Sequence, residues 1–293
     1  MSKNILITHN DLDGVGCAVL FVALMQDLER DYEYYFEAYR TVNERILKIL
    51  NDYQDQDISI MITDISPNQQ VAEALDKSGR TIKLIDHHKT ATWLNIYPWA
   101  VINTHYCATK LLYDYLKIMW NGIVMYKDFV ECVNDYDMWI HNIKYSKMLN
   151  ILLNFLGCDL FLSRFLDDPS PYPNLTEEII IRAEEDRRDR YIEQVVRKAK
   201  VIDETHVFAI ADRYKSELGE RLLELAPVAV IIDPLNDTVS LRSRDKNYDV
   251  SKIAQSCGGG GHTLAAGFEL LPGSILETLI SYLDPFEKGR RQE

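Results

Sequence analysis

Ile5-Leu6-Ile7-Thr8-His9-Asn10-Asp11-Leu12-Asp13-Gly14 decides how this chain folds: an apolar β-type run ends in a histidine, two aspartates and a glycine. Two further runs end alike. Ile58-Ser59-Ile60-Met61-Ile62 leads into Thr63-Asp64, and Ile82-Lys83-Leu84-Ile85 leads into Asp86-His87-His88. Asn134-Asp135-Tyr136-Asp137 and Gly258-Gly259-Gly260-Gly261-His262 carry the same chemistry downstream, and four of the five segments read as strand ends. Strands of a parallel α/β sheet deliver their last residues to one edge, where such sheets bind ligands. His9, Asp11, Asp13, Asp64, Asp86 and His87 should therefore converge. So many carboxylates cannot share a crevice unpaired, because like charges raise one another's pKa and burial penalises each ion. Divalent cations remove that conflict. The expectation is a metal centre with more than one ion.

Working outward, the first half alternates strand and helix patterns. A helical run over 15–25 follows the first strand, then a strand over 34–39. The strand 58–62 precedes a helix over 68–77 ended by Gly79, and a strand over 81–85 closes the third unit. This alternation predicts a doubly wound parallel sheet. Helical patterns then cover 109–120 and 126–133. Pro169, Pro171 and Pro173 break the chain, since closely spaced prolines cannot continue a helix. Thr176, followed by Glu177 and Glu178, starts a long charged helix to about Lys200, read as a connector. After Asp203 the pattern restarts: a strand over 207–210, a helix over 215–225, strands over 228–232 and 238–241, and a helix over 250–254. A small-residue strand over 265–268 and a helix over 274–283 follow the glycines. The organisation is α/β with a catalytic domain at 1–165, a linker and connecting helix at 166–202, and a smaller α/β domain at 203–293. No internal repeat is visible.

A hydrophobic fraction of 47% with 26% charged residues is globular. No apolar run reaches membrane-spanning length, and the N-terminus enters a strand rather than a signal-peptide core. Cys17, Cys107, Cys132, Cys158 and Cys257 are odd in number and form no Cys-x-x-Cys, so reduced thiols in a cytoplasmic protein are expected. The net charge of −13 argues against gripping long duplex nucleic acid, though a short anion held by metal ions and a few arginines remains open.

Each motif has a competing reading. His9-x-Asp11-x-Asp13-Gly14 superficially resembles an EF-hand loop, but its twelfth residue is Leu20 instead of glutamate and a strand precedes it. Gly14 gives a close backbone path from strand into helix, whose amides can face an anion. A histidine with two carboxylates suits Mn²⁺ or a similar ion better than an all-oxygen Mg²⁺ site. Asp64 alone also makes a good turn. His87 and His88, adjacent at a strand end, are expected to point to opposite sides, one to ligate and the other to face substrate. Asp86 is placed to hold a histidine's tautomer. The order Asp-His-His disfavours an HD-type phosphohydrolase. Asp135 and Asp137 read as alternate strand or loop positions, and either could supply a ligand. The glycine run makes sense where chain approaches a ligand closely, and Arg242-Ser243-Arg244 offers bidentate phosphate donors.

Taken in order, these motifs strongly resemble the DHH/DHHA1 phosphoesterase superfamily across essentially the whole chain. His9 to Cys17 and Leu84 to Thr90 look most like the nano-RNase B-type oligoribonucleases. The resemblance implies a DHH domain and a smaller DHHA1 domain facing each other across a cleft. It implies two Mn²⁺ ions, with Mg²⁺ or Co²⁺ as substitutes. Carried over by motif, one ion would take His9, Asp11 and Asp64. The other would take Asp13, Asp64, His87 and Asp137, the last chosen over Asp135 for its Asp137-Met138-Trp139 context. His88 would act on the scissile phosphate, and Arg242, Gly260, Gly261 and His262 would hold the rest of the nucleotide. The implied function is two-metal hydrolysis of short single-stranded oligonucleotides (nanoRNA) or dinucleotides to mononucleotides, without long duplex or membrane; a homodimer is left open. The alternatives are a cyclic or linear dinucleotide phosphodiesterase, and a non-catalytic nucleotide-binding module whose mark, a missing ligand, is not seen.

Overall fold

The computed structural model describes residues 3–271 and 273, so the helix expected over 274–283 lies outside the described residues. Two compact units divide the chain, Met1–Arg182 and Ala183–Glu293.

In the first unit β1 (Lys3–His9) runs into α1 (Leu12–Asp27), β2 (Tyr32–Glu37) into α2 (Val42–Asp52) and β3 (Ile58–Thr63) into α3 (Gln69–Lys77). β4 (Thr81–Asp86) passes through a 3₁₀ turn, Lys89–Ile96, to β5 (Ala100–Ile102). The strands lie parallel in the order β2-β1-β3-β4-β5. Successive residues of β1 explain its continuous apolar run: Ile5 and Ile7 pack with Ile46 and Ile49 of α2 and Leu75 of α3, while Leu6 packs with α1 on the other face. The sheet is doubly wound. α1 is buried on nearly every side because α4 (Ala108–Leu116), α5 (Lys127–Asp137), α6 (Ser146–Leu156) and α7 (Cys158–Asp167) pack around it. Asn68 caps α3 by accepting from the Val71 amide at 2.9 Å. α2, α6 and α7 are not among the expected elements; α2 buries only Val42, Ile46 and Ile49, a stripe of helical spacing in an otherwise polar segment.

The division between units falls within α8 (Leu175–Lys198). The second unit contains β6 (Lys200–Val201), β7 (His206–Ile210), α9 (Lys215–Leu222), β8 (Val228–Asp233), β9 (Thr238–Ser243), α10 (Val250–Ser256), β10 (Gly260–His262) and β11 (Ala265–Glu269). They form a mixed sheet in the order β10-β11-β9-β8-β7-β6, parallel only between β7 and β8. Leu218 and Leu222 of α9 cover Ala229 and Ile231 on one face; Val250 and Ala254 of α10 cover Val228 and Leu241 on the other. Among the described residues, no helix is long and apolar enough to cross a membrane.

Candidate metal centre

The site begins where β1 turns into α1. Asp11 caps the helix, accepting the Gly14 amide at 3.0 Å, while its other oxygen lies 2.8 Å from His9 Nδ1. A Cβ on Gly14 would come within 2.2 Å of the His9 carbonyl oxygen, so only glycine lets the helix start this close to the strand end. Asp13, in the first turn of α1, accepts the Ala108 and Thr109 amides at 2.6 and 2.8 Å. Its carboxylate thus sits at the N-terminus of α4, where the helix dipole favours negative charge. Beneath these residues Thr63 Oγ1 donates to Thr8 Oγ1 at 2.8 Å, and Thr8 donates to the Gly14 carbonyl at 2.9 Å, tying β3, β1 and α1 together.

Asp64 leaves β3 with φ of 58°, a left-handed conformation that aspartate tolerates better than most residues and that gathers at functional sites. It is 1% exposed. Its Oδ1 lies 3.4 Å from His87 Nε2 and its Oδ2 lies 3.8 Å from His9 Nδ1. Among the described residues, neither oxygen has a hydrogen-bond partner. Burial, reinforced by the charges of Asp13 and Asp11, pushes this carboxyl well above its usual range. His87 Nε2 also faces Asp13 Oδ2 at 3.7 Å and Asp137 Oδ2 at 3.5 Å.

The expected divergence of His87 and His88 is overturned. Their rings lie 4.5 Å apart, and both lie within reach of Asp64. Period-two alternation stops with β4 at Asp86, whose Oδ1 accepts the amides of His87 and His88 at 2.6 and 3.1 Å and so turns both residues toward its own side chain. The same oxygen lies 2.7 Å from His88 Nδ1, and Ser66 Oγ donates to Oδ2 at 2.5 Å. Burial would raise Asp86, but the His88 and Ser66 contacts hold it below its usual value. Burial would likewise lower His88, and Asp86 raises it instead. His88 Nε2 lies 3.0 Å from the Tyr39 hydroxyl.

Asp135 and Asp137 belong to α5, not to alternate strand or loop positions. On a helix, residues two apart do not face the same way. Asp135 turns to the Asn142 and Ile143 amides at 2.8 and 3.0 Å, whereas Asp137 turns to His87. Burial and the charges of Asp13, Asp11 and Asp86 push Asp137 up to about 9.

Three overlapping sets could each hold an ion: His9, Asp11 and Asp64; Asp13, His87 and Asp137; and Asp64, Asp86, His87 and His88. His9 Nδ1, both Asp64 oxygens and Asp137 Oδ2 are buried without an aligned hydrogen bond, Asp11 lying off the line of the His9 ring N–H. Buried polar atoms ordinarily find partners. Here they converge from separate elements, and mixed imidazole and carboxylate donors suit divalent transition cations. Tyr39, Thr8, Thr63, Ser66 and Thr109 also build the site, although no local pattern marks them in the sequence.

The remaining expected site residues lie in the second unit. Arg242 of β9 pairs with Ala265 of β11, which pairs with His262 of β10, so Arg242 and His262 share one face of the sheet. The Arg242 guanidinium donates to the Leu241 carbonyl at 3.0 Å and to Ser216 Oγ at 3.2 Å, and among the described residues no carboxylate pairs with it. Burial lowers its pKa. A Cβ on Gly219 would approach Arg242 Cγ to 2.6 Å, so that glycine makes room for the arginine stem. Strand pairing explains part of the glycine run: a Cβ on Gly259 would meet the Gly267 carbonyl oxygen at 2.1 Å. Gly260 has open space and His262 is exposed.

Residues 3–154 match the model of the DHH family, N-terminal domain. Over 291 residues the chain is 33% identical to oligoribonuclease NrnB of Bacillus subtilis (strain 168), an alignment covering 89% of this chain and 71% of that one. RecJ from Thermus thermophilus, solved with Mn²⁺, superposes with a TM-score of 0.59 at 13% identity, over 92% of this chain and 49% of that one. The pGpG-specific phosphodiesterase PggH of Vibrio cholerae gives a TM-score of 0.53 at 14% identity, covering 96% of this chain and 98% of that one. At such identities both structures speak for the fold alone.

Proposed function

The chain belongs to the DHH family, and we propose that it is a divalent-metal-dependent phosphodiesterase that hydrolyses short oligonucleotides to mononucleotides. The observation that carries this reading is Asp64: a buried carboxylate whose two unpartnered oxygens each face a different histidine. The similarity to an oligoribonuclease over most of the chain supports the substrate class.

His9, Asp11 and Asp64 would hold one ion, and Asp13, Asp64, His87 and Asp137 the other, with Mn²⁺ preferred by the mixed donor set. Bound there, the two cations would acidify a water molecule and offset charge on the phosphate and leaving oxygen. The chain's own part is to place the phosphate. His88, oriented through Nδ1 by Asp86, would face the phosphate and, as an imidazolium carrying a hydrogen on Nε2, donate to a non-bridging oxygen. The second unit, read as a DHHA1 domain, would hold the rest of the nucleotide through Arg242, Gly260, Gly261 and His262. The net charge of −13 favours short single strands over duplex, and the free cysteines favour a reducing, cytoplasmic setting.

The test is incubation with Mn²⁺ and end-labelled RNAs from the dinucleotide upward, alongside pApA and cyclic dinucleotides. Mononucleotides should appear from the short RNAs and vanish with EDTA. Cleavage of cyclic or linear dinucleotides alone would make it a dinucleotide phosphodiesterase. Binding without cleavage of any substrate would make it a nucleotide-binding module.

A further inference from the structure

β2 pairs with β1 in parallel register, Thr8 opposite Phe36 and His9 opposite Glu37. The chain therefore leaves β2 at the edge where His9 leaves β1, and Tyr39 follows two residues later. The Ala38 amide donates to Thr41 Oγ1 at 3.1 Å and the Thr41 amide to the Ala38 carbonyl at 2.9 Å, which closes this turn. The Tyr39 ring lies 5.2 Å from that of His9 and meets the His88 ring edge-on at 5.9 Å. Its hydroxyl lies 3.0 Å from His88 Nε2.

We infer that Tyr39 is a positioning residue for His88, a role that rests on the reading of His88 given above. An ionised carboxylate can only accept, so His88 Nδ1 carries its hydrogen toward Asp86. Nε2 of the neutral ring is then an acceptor, and a tyrosine hydroxyl, protonated at neutrality with an ordinary pKa of about 10, donates to it. A hydroxyl also accepts, so when Nε2 carries a hydrogen Tyr39 still holds the ring at the same angle and the phosphate shares that hydrogen with it. Asp86 and Tyr39 together fix the imidazole from both nitrogens. Tyr39 is 52% exposed as a residue, so removing its oxygen alone does not disturb the packed interior.

The experiment is a double-mutant cycle on the full chain with Mn²⁺, using a short RNA and bis-p-nitrophenyl phosphate. Tyr39→Phe should lower kcat by roughly threefold to tenfold, with KM within about twofold and bound metal unchanged by elemental analysis. In a His88→Ala background the same substitution should change the rate by less than about twofold. Equal losses in both backgrounds, lost metal, or no loss overturn the inference. A raised KM at unchanged kcat also overturns it and makes the ring a base-stacking surface. Long-range ¹H–¹⁵N spectra of the Mg²⁺-loaded, histidine-labelled protein give a reading that needs no turnover. The His88 Nε2 resonance should move in Tyr39→Phe, and an unmoved resonance overturns the inference even if oligonucleotides prove not to be substrates.

Discussion

Replacing Asp137 by asparagine should make the metal-free protein more stable and weaken the stabilisation that metal brings. Asp137 is pushed up to about 9 by burial and by the charges of Asp13, Asp11 and Asp86. Its side chain is 21% exposed, and among the described residues its Oδ2 has no hydrogen-bond partner. In the unfolded chain it ionises at about 4, so pH 7 lies roughly three units above the unfolded value and still below the folded one. At ~1.36 kcal/mol per unit, the buried group costs at most about 4 kcal/mol at pH 7. Solvent access and relief of the neighbouring carboxylates bring the expected gain to roughly 2 kcal/mol. For a unit of this size that is about 4–8 °C in Tm. Because the folded pKa is raised, the stability is complete below the ordinary carboxylate value and is lost as pH climbs toward about 9. In EDTA the parent protein should therefore weaken across that window, and Asp137→Asn should weaken less. Trp93, Trp99, Trp120 and Trp139 all belong to the unit Met1–Arg182, so intrinsic fluorescence follows that unit alone. With Mn²⁺ at about a hundred times its Kd the parent should gain ~2.7 kcal/mol and the variant less. Asp135→Asn is the contrast, since its carboxylate accepts two amides and its loss should cost about 1–3 kcal/mol with or without metal. A melting temperature for Asp137→Asn in EDTA at or below that of the parent would refute the reasoning.

Asp64→Ala should abolish turnover together with bound metal, because its two oxygens face separate histidines; elemental analysis beside a rate assay checks both, and retained activity with two ions would exclude Asp64 as the ligand the two ions share. His87→Ala should lose metal, while His88→Ala should keep it and lose kcat; the reverse pattern would exchange their roles. Arg242→Ala should slow dinucleotide hydrolysis by roughly ten- to a hundredfold, about 1.5–3 kcal/mol, and barely affect bis-p-nitrophenyl phosphate; equal losses on both would place it at the reacting phosphate.

The strands of the first sheet were legible because parallel strands covered on both faces read as unbroken apolar runs, and their ends carry the acidic and histidine segments. The same reasoning held past β1 and β3, where Asp11, Asp13 and Asp64 converge, and failed past β4 and on α5. His87 and His88 lie beyond β4, where the amides folded onto Asp86 replace the alternation of a strand. Asp135 and Asp137 sit on a helix whose polar sequence resembles a turn. α2 was hidden by charged residues between its buried positions. Tyr39 had no local signature, since its place depends on β2 finding β1, a pairing that no window of sequence contains.

Asp13 is joined to Ala108 and Thr109 across 95 and 96 residues of sequence. Such contacts must be closed against chain entropy before they stabilise anything, so they form late. A ribosome would release His9, Asp11 and Asp13 well before the amides that seat Asp13 or the Asp137 carboxylate exist. The half-made chain could therefore already offer an ion His9, Asp11 and Asp64, whereas Asp13, His87 and Asp137 come together only in the finished fold.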